Sequence, residues 1–273
     1  MRGATRARPG RVAVVWITAL SPAIAQAQFA PRPLSRFDRQ KAEWLLRRRL
    51  PCLGCHRLDG AGGVIGPDLS DVADRRTPAF IYRMVSEPQA ALPGSSMPKI
   101  AMPDEWRALV VSYLAERKGR GAAAVDPPSV AAPGRLDAVS DGAALYQRVC
   151  AACHGSEGRG DGPNAANLTT RPTAHADSAY LSTRPDDTLF DGIFAGGYIL
   201  NRSHLMPGWG ETLSRNQLWG LVRYLRALCR CTGPAWSRDG AGGAGGAGGA
   251  AGADEGAEDA VAEGDVRRAR SSR

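Results

Sequence analysis

The stretch VCAACHGSEGRGDGP, residues 149–163, sets Cys150 and Cys153 three positions apart with His154 directly after the second. PCLGCHRLDGAGGVIGP, residues 51–67, repeats the layout with Cys52, Cys55 and His56. Two thiols three residues apart lie on one face of a helical turn. There each can form a thioether to a vinyl group of one porphyrin, and the adjacent imidazole is brought beneath the iron as its proximal ligand. Cys-x-x-Cys-His is the attachment signal for c-type haem. The two copies therefore predict two covalently bound haem c groups, with His56 and His154 on the irons.

Other uses of four such cysteines fit less well. Paired zinc knuckles usually stand about 15–20 residues apart and need no histidine after each pair, whereas these pairs are offset by 98 residues. A thioredoxin-like pair needs a βαβ setting that the sequence lacks. Structural disulfides would not require His56 and His154 to match in position.

A second axial ligand decides what a haem iron does: a histidine/methionine pair saturates it and raises its potential, whereas an open position invites chemistry. Met206, in a Met-Pro pair, follows His154 by 52 residues, and Met97, in another, follows His56 by 41. Met102-Pro103 competes with Met97-Pro98 in the first half. Met97 is favoured because it leaves enough chain before the acidic helix start at Asp104, as Met206 does before Ser214, and Met102 then becomes a core contact near the haem. Met84 falls on an apolar helical face and reads as core. His204 competes with Met206, and His175 reads as a surface or haem-edge hydrogen-bonding group. Arg171 is a candidate partner for a haem propionate.

The elements that must hold these residues are helical. RFDRQKAEWLLRRRL reads as an amphipathic helix with Phe37, Trp44, Leu45 and Leu50 inward. PAFIYRMVSEP gives a helix opened by Pro78 and closed by Pro88. DEWRALVVSYLAERKG carries acids at its start and ends at Gly119. The second half repeats the plan with SDGAALYQRVC, RPDDTLFDGIFAGG and SRNQLWGLVRYLRALC. Its loop from histidine to Met-Pro is longer by about 11 residues, the pattern of a duplication in which one copy has gained loop.

The ends and the middle have other compositions. Residues 1–27 join Arg2, Arg6, Arg8 and Arg11 to an apolar run broken by Pro22 and a small-x-small site at Ala25-Gln26-Ala27, which predicts a signal peptide cleaved after Ala27. The run is shorter than the ~20 residues that span a bilayer, so the mature chain is expected to be soluble, periplasmic and without a transmembrane segment. Two haem-binding units are expected over 34–118 and 139–232, with an Ala/Pro/Gly linker over 119–138 and a disordered low-complexity tail over 233–273. Residues 28–120 hold 16 Lys and Arg against 10 Asp and Glu, while residues 135–232 hold 10 against 9. That imbalance points to an acidic protein partner or an anionic membrane surface on the first half, and the expected partners are redox proteins or a membrane-bound respiratory complex. Export and the lack of a basic helix with interleaved aromatics argue against nucleic acid.

Taken together, the two motifs, their Met-Pro turns and the closing helices resemble the class I cytochrome c family in tandem di-haem form, over residues 37–118 and 139–229. The resemblance implies an all-α fold: two tandem cytochrome c domains, each of a few helices wrapped around one covalent haem. It implies that first and last helices cross, with Tyr113 and Tyr224 as the packing aromatics. Gly142 and Tyr146 would be the partner positions in the second half, and Ala42 stands where glycine is expected in the first. It also implies a proline carbonyl on the second nitrogen of each proximal histidine, Pro67 for His56 and Pro163 for His154. The function implied is single-electron transfer without catalysis. The competing readings are a di-haem peroxidase or thiosulfate dehydrogenase and an electron-accepting subunit of a dehydrogenase complex. Cys229 and Cys231 are left over, to be free, bridged to each other or paired between chains.

Overall fold

The computed structural model describes residues 29–119, 124, 126 and 135–238. The signal peptide expected over 1–27, most of the linker and all but the start of the tail lie outside these residues. The described residues up to Gly233 form one compact unit, and the segment from Pro234, with a short helix at Ala235–Arg238, belongs to another.

In the first half, α1 (Arg36–Trp44) starts at a capping box in which the Ser35 and Asp38 side chains each take the other's backbone N–H. It runs on as a π-helical turn over Leu45–Arg49. Ala42, Leu45 and Leu46 are fully buried, while Phe37 and Trp44, expected inward, are 70% and 53% exposed. A regular 3.6-residue period cannot put the adjacent Leu45 and Leu46 on one buried face as well as the inserted residue of a π-turn does.

The first cysteine turn is α2 (Cys52–Cys55), followed by a two-stranded hairpin, β1 (Arg57–Leu58) against β2 (Ala61–Gly62). Next come α3 (Pro78–Ser86), with Thr77 accepting from the Phe80 N–H, and the short α4 (Pro88–Ala91). The half closes with α5 (Asp104–Ala115), which packs on α1 and α3. Leu45, Leu46, Leu58, Val110 and Val111 form the centre of its core.

In the second half, α6 (Gly142–Val149) is capped by Asp141 and leads into the second cysteine turn, α7 (Ala151–His154). A short α8 (Ser178–Leu181) and α9 (Asp186–Ala195) follow, and Gly196 at φ 89° ends the latter. The closing helix α10 (Arg215–Cys229) opens with a Ser214/Gln217 capping box. It crosses α6 where Gly142 meets Gly220 so closely that a Cβ on Gly142 would overlap the Gly220 carbonyl. Tyr146 and Tyr224 meet near the crossing at 5.1 Å between ring centroids. The first half has the corresponding pair of helices, with Ala42 fully buried and Tyr113 6% exposed.

The stretch expected as linker is partly tied down. Asp126 accepts from the Thr77 N–H and hydroxyl at 2.9 and 2.6 Å. Leu136 is buried in the second core, where the Gln217 amide donates to its carbonyl at 2.7 Å.

Candidate functional site

Each cysteine pair sits on a single helical turn whose start is already fixed by tertiary structure. His56 N–H donates to the Cys52 carbonyl at 2.9 Å, and His154 N–H to the Cys150 carbonyl at 3.0 Å. Both thiols of a pair and the following imidazole are thereby gathered at one end of one turn. Burial pushes the thiols of Cys52, Cys55 and Cys150 up to about 11, 12 and 12 and raises that of Cys153. Burial leaves these sulfur atoms in an apolar wall.

The first imidazole is locked in place. His56 Nδ1 lies 2.7 Å from the Pro67 carbonyl, which can only accept, so Nδ1 carries the proton and Nε2 is the free donor for a metal. Gly66 makes room for the ring: a Cβ there would stand 2.5 Å from His56 Cε1. Burial lowers the His56 pKa, keeping it neutral. In front of this imidazole is an apolar cavity of about 380 Å³ whose walls include Cys52, Cys55, Met84, Met97, Met102 and Pro207. Met97 is held through its backbone, its N–H donating to Ser95 Oγ at 3.1 Å and its carbonyl accepting from Gln89 at 2.7 Å. Met102 packs against the first core. An apolar cavity with two thiols and a neutral imidazole on one wall and thioether sulfurs on others is a donor set that fits a covalently attached haem.

The second imidazole is oriented differently. His154 Nδ1 meets the Thr173 carbonyl at 2.9 Å. Pro163, expected in that role, is exposed on its turn. The physical reason is loop length: the carbonyl on His56 comes 11 residues after it, and the one on His154 comes 19 residues after. The longer second loop makes another turn before it returns to the ring. His175, expected as a surface or haem-edge hydrogen-bonding group, is stacked on His154 with ring centroids 4.0 Å apart, and its Nδ1 lies 3.2 Å from Tyr146 Oη. Burial lowers the pKa of both histidines. Met206 is half-buried on the loop between α9 and α10, its carbonyl accepting from the Gly197 N–H at 3.1 Å. Burial lowers the His204 pKa, with the Arg47 backbone of the first half raising it in part. Arg171 is exposed.

The two sites lie against each other. Leu205 packs on the first core and Pro207 reaches the first cavity, so the residues flanking Met206 help build the other site. Gly54, inside the first cysteine turn, has no room for a side chain because Leu205's carbonyl stands there. Lys99 N–H donates to Thr212 Oγ1 at 2.8 Å and Arg148 to the Gly94 carbonyl at 2.7 Å across the same seam. Asn164, fully buried, reaches from the second motif into the first. The sequence reading missed Asn164, Thr173 and Gly220. Nothing local marks the first two, whereas Gly220 lies in the same closing helix as Tyr224.

Cys229 and Cys231, left open by the sequence, form a disulfide with each other. Among the described residues no helix is long and apolar enough to cross a membrane.

Comparison with known proteins finds cytochrome c-type family matches in both halves of the chain. Residues 50–118 match the family model described as cytochrome c, and residues 137–225 match that of cytochrome c oxidase, cbb3-type, subunit III. The cbb3-type cytochrome c oxidase subunit FixP of Azorhizobium caulinodans is 33% identical over 101 residues, which is 37% of this chain and 30% of that protein. The match thus spans less than a third of the relative's length. A chain of the reducing HAO-like protein complex of Kuenenia stuttgartiensis aligns at 22% identity over 72% of this chain and 98% of its own, with a TM-score of 0.27. With motif, fold and family matches in agreement, residues 50–118 and 137–225 are two tandem cytochrome c-type domains of an all-α chain, domains of the kind that bind haem c covalently.

Proposed function

We propose that the chain holds two haem c groups and passes single electrons between redox proteins in the periplasm, without performing a substrate reaction of its own. The observation that supports this best is the pairing of two Cys-x-x-Cys-His turns across one buried seam, each with its imidazole fixed through Nδ1 to a backbone carbonyl. In this reading Cys52 and Cys55 attach one group, with His56 and Met97 as axial ligands. Cys150 and Cys153 attach the other, with His154 and Met206. When bound, haem c supplies an iron that alternates between ferric and ferrous states.

The protein's own residues do the rest. The Pro67 and Thr173 carbonyls hold the two imidazoles in one tautomer and orientation and raise their basicity as ligands. Met97 is preferred over Met102 because it borders the cavity without belonging to the packed core. The apolar walls keep water out, which favours the less charged reduced state. The basic first half would dock an acidic partner by steering.

Counting porphyrins in the denatured chain by the pyridine haemochrome spectrum tests the stoichiometry, and two per chain is the expected result. Met97→Leu and Met206→Leu should each remove part of the near-infrared sulfur-to-iron band of the ferric protein, and Met102→Leu should leave it whole. Appreciable turnover of peroxide or thiosulfate would replace the carrier reading with an enzymatic one.

A second reading is favoured by the similarity of one stretch to a cbb3-type oxidase subunit. Here the chain would be an electron-delivering subunit of a membrane-bound respiratory complex. Stable co-purification with a haem-containing membrane assembly separates it from a free carrier.

A further inference from the structure

The two attachment turns come from sequence segments about a hundred residues apart, yet one side chain joins them. Asn164 is 0% exposed. Its backbone N–H donates to the Ala152 carbonyl at 2.9 Å, within the second cysteine turn. Its side chain leaves that turn and enters the first half. Oδ1 accepts the Val64 N–H at 2.8 Å, and Nδ2 donates to the Gly54 carbonyl at 2.8 Å. The same Nδ2 lies 3.3 Å from Cys153 Sγ. A primary amide nitrogen has two protons, and here one is directed to each site: one to the peptide that joins Gly54 to Cys55, the other to the sulfur of Cys153. A thioether sulfur remains a weak acceptor, so attachment of the second group does not abolish this contact. The approach is tight on the other side as well. A Cβ on Gly63 would stand 2.9 Å from Asn164 Oδ1 and 2.5 Å from the Gly54 carbonyl.

We propose that Asn164 couples the two sites electronically, as the bridge through which an electron crosses between them. This rests on the reading that both motifs carry haem c. The step moves one electron: the iron held at one motif goes from ferrous to ferric as the iron held at the other goes from ferric to ferrous. No bond is broken and no proton moves. The route runs from the Cys153 sulfur through the Asn164 amide to the Gly54 carbonyl and along one peptide bond into Cys55. The hydrogen bond to Cys153 also withdraws electron density from that sulfur, and such bonds are one of the protein's means of tuning a centre's potential.

An interface residue that merely staples two halves would leave electron movement unchanged once the halves are in place, and this separates the two roles. The holoprotein is reduced at one site by a flash, and equilibration between the sites is followed by absorption. Dipolar broadening between the ferric centres reports their separation. Asn164→Asp keeps the shape and the bond from Val64 but cannot donate to Gly54 and Cys153 together, since an ionised carboxylate has no proton and a neutral one has a single O–H. Asn164→Leu removes all three contacts. Both variants are expected to slow equilibration several-fold, and Asn164→Leu is expected to lower the potential of the His154-ligated site. Equilibration in Asn164→Asp as fast as in the unaltered protein, with two porphyrins still attached and the dipolar broadening unchanged, overturns the proposal alone. One porphyrin per unaltered chain overturns the two-haem reading and the proposal with it.

Discussion

Gly142 and Gly220 touch backbone to backbone where α6 crosses α10, with no space at Gly142 for even a methyl group. The crossing holds the start of the second cysteine turn, because α6 runs directly into it. Gly142→Ala should therefore push the two helices apart, at a cost of about 1–3 kcal/mol for overpacking. Denaturant unfolding followed by helix signal should show the midpoint fall. The same substitution at Gly220, where an added Cβ has only contacts at 3.8 Å, should cost much less.

Gly66 is placed against the first imidazole in a similar way. In Gly66→Ala the methyl group would sit 2.5 Å from His56 Cε1 and 2.6 Å from Nδ1. The ring must turn, and the 2.7 Å bond to Pro67 breaks. The expected result is a changed ligand-field spectrum at the first site, with the second site unaffected. An unchanged spectrum would mean that the loop around Gly66 yields and the ring does not.

The start of α1 should be acid-sensitive. A hydrogen bond from Arg32, with further bonds from Ser35, holds the Asp38 carboxyl well below the usual carboxylate range. A depressed folded-state pKa stabilises above the unfolded-state pKa and is lost as pH falls toward the folded one. The loss should begin near pH ~4, where an unfolded aspartate titrates, and continue below it. Amide exchange at Arg39 and its neighbours should accelerate over that range. Asp38→Asn should weaken the cap at neutral pH and flatten the acid dependence.

Thiol counting follows from the disulfide between Cys229 and Cys231. With the other four cysteines in thioethers, the denatured holoprotein should titrate with no free thiol, and reduction should release two. On a non-reducing gel it should run as a single chain, against the interchain pairing that the sequence left open. Because the closed loop is so short, replacing both by serine should cost no more than the low end of the roughly 2–4 kcal/mol typical of disulfides.

What the sequence reveals here depends on how far apart the cooperating residues lie. Cys-x-x-Cys-His is local chemistry on one turn, so both motifs were legible as they stand. Helix caps are local too, and Thr77-Pro78, Asp141 and Ser214 mark helix starts that the structure has. Of the apolar positions expected for the first helix, Leu45 and Leu50 are buried, while Phe37 and Trp44 were misread and are exposed, because an apolar residue on the outer face of a helix carries no local mark. Pro163 was misread because a carbonyl finds its histidine by the path of the intervening loop, and the second loop is the longer one. Asn164 could not be found at all: its partners Val64 and Gly54 lie 100 and 110 residues away, and only the folded chain brings them together.

The tripeptide Leu205-Met206-Pro207 contributes its middle residue to one half and its outer two to the core and cavity of the other. An insertion or deletion there would be felt on both sides of the seam at once. The two copies, whatever their common origin, are thus no longer free to drift separately, and a chimaera that swaps in a foreign second half would inherit a damaged first one.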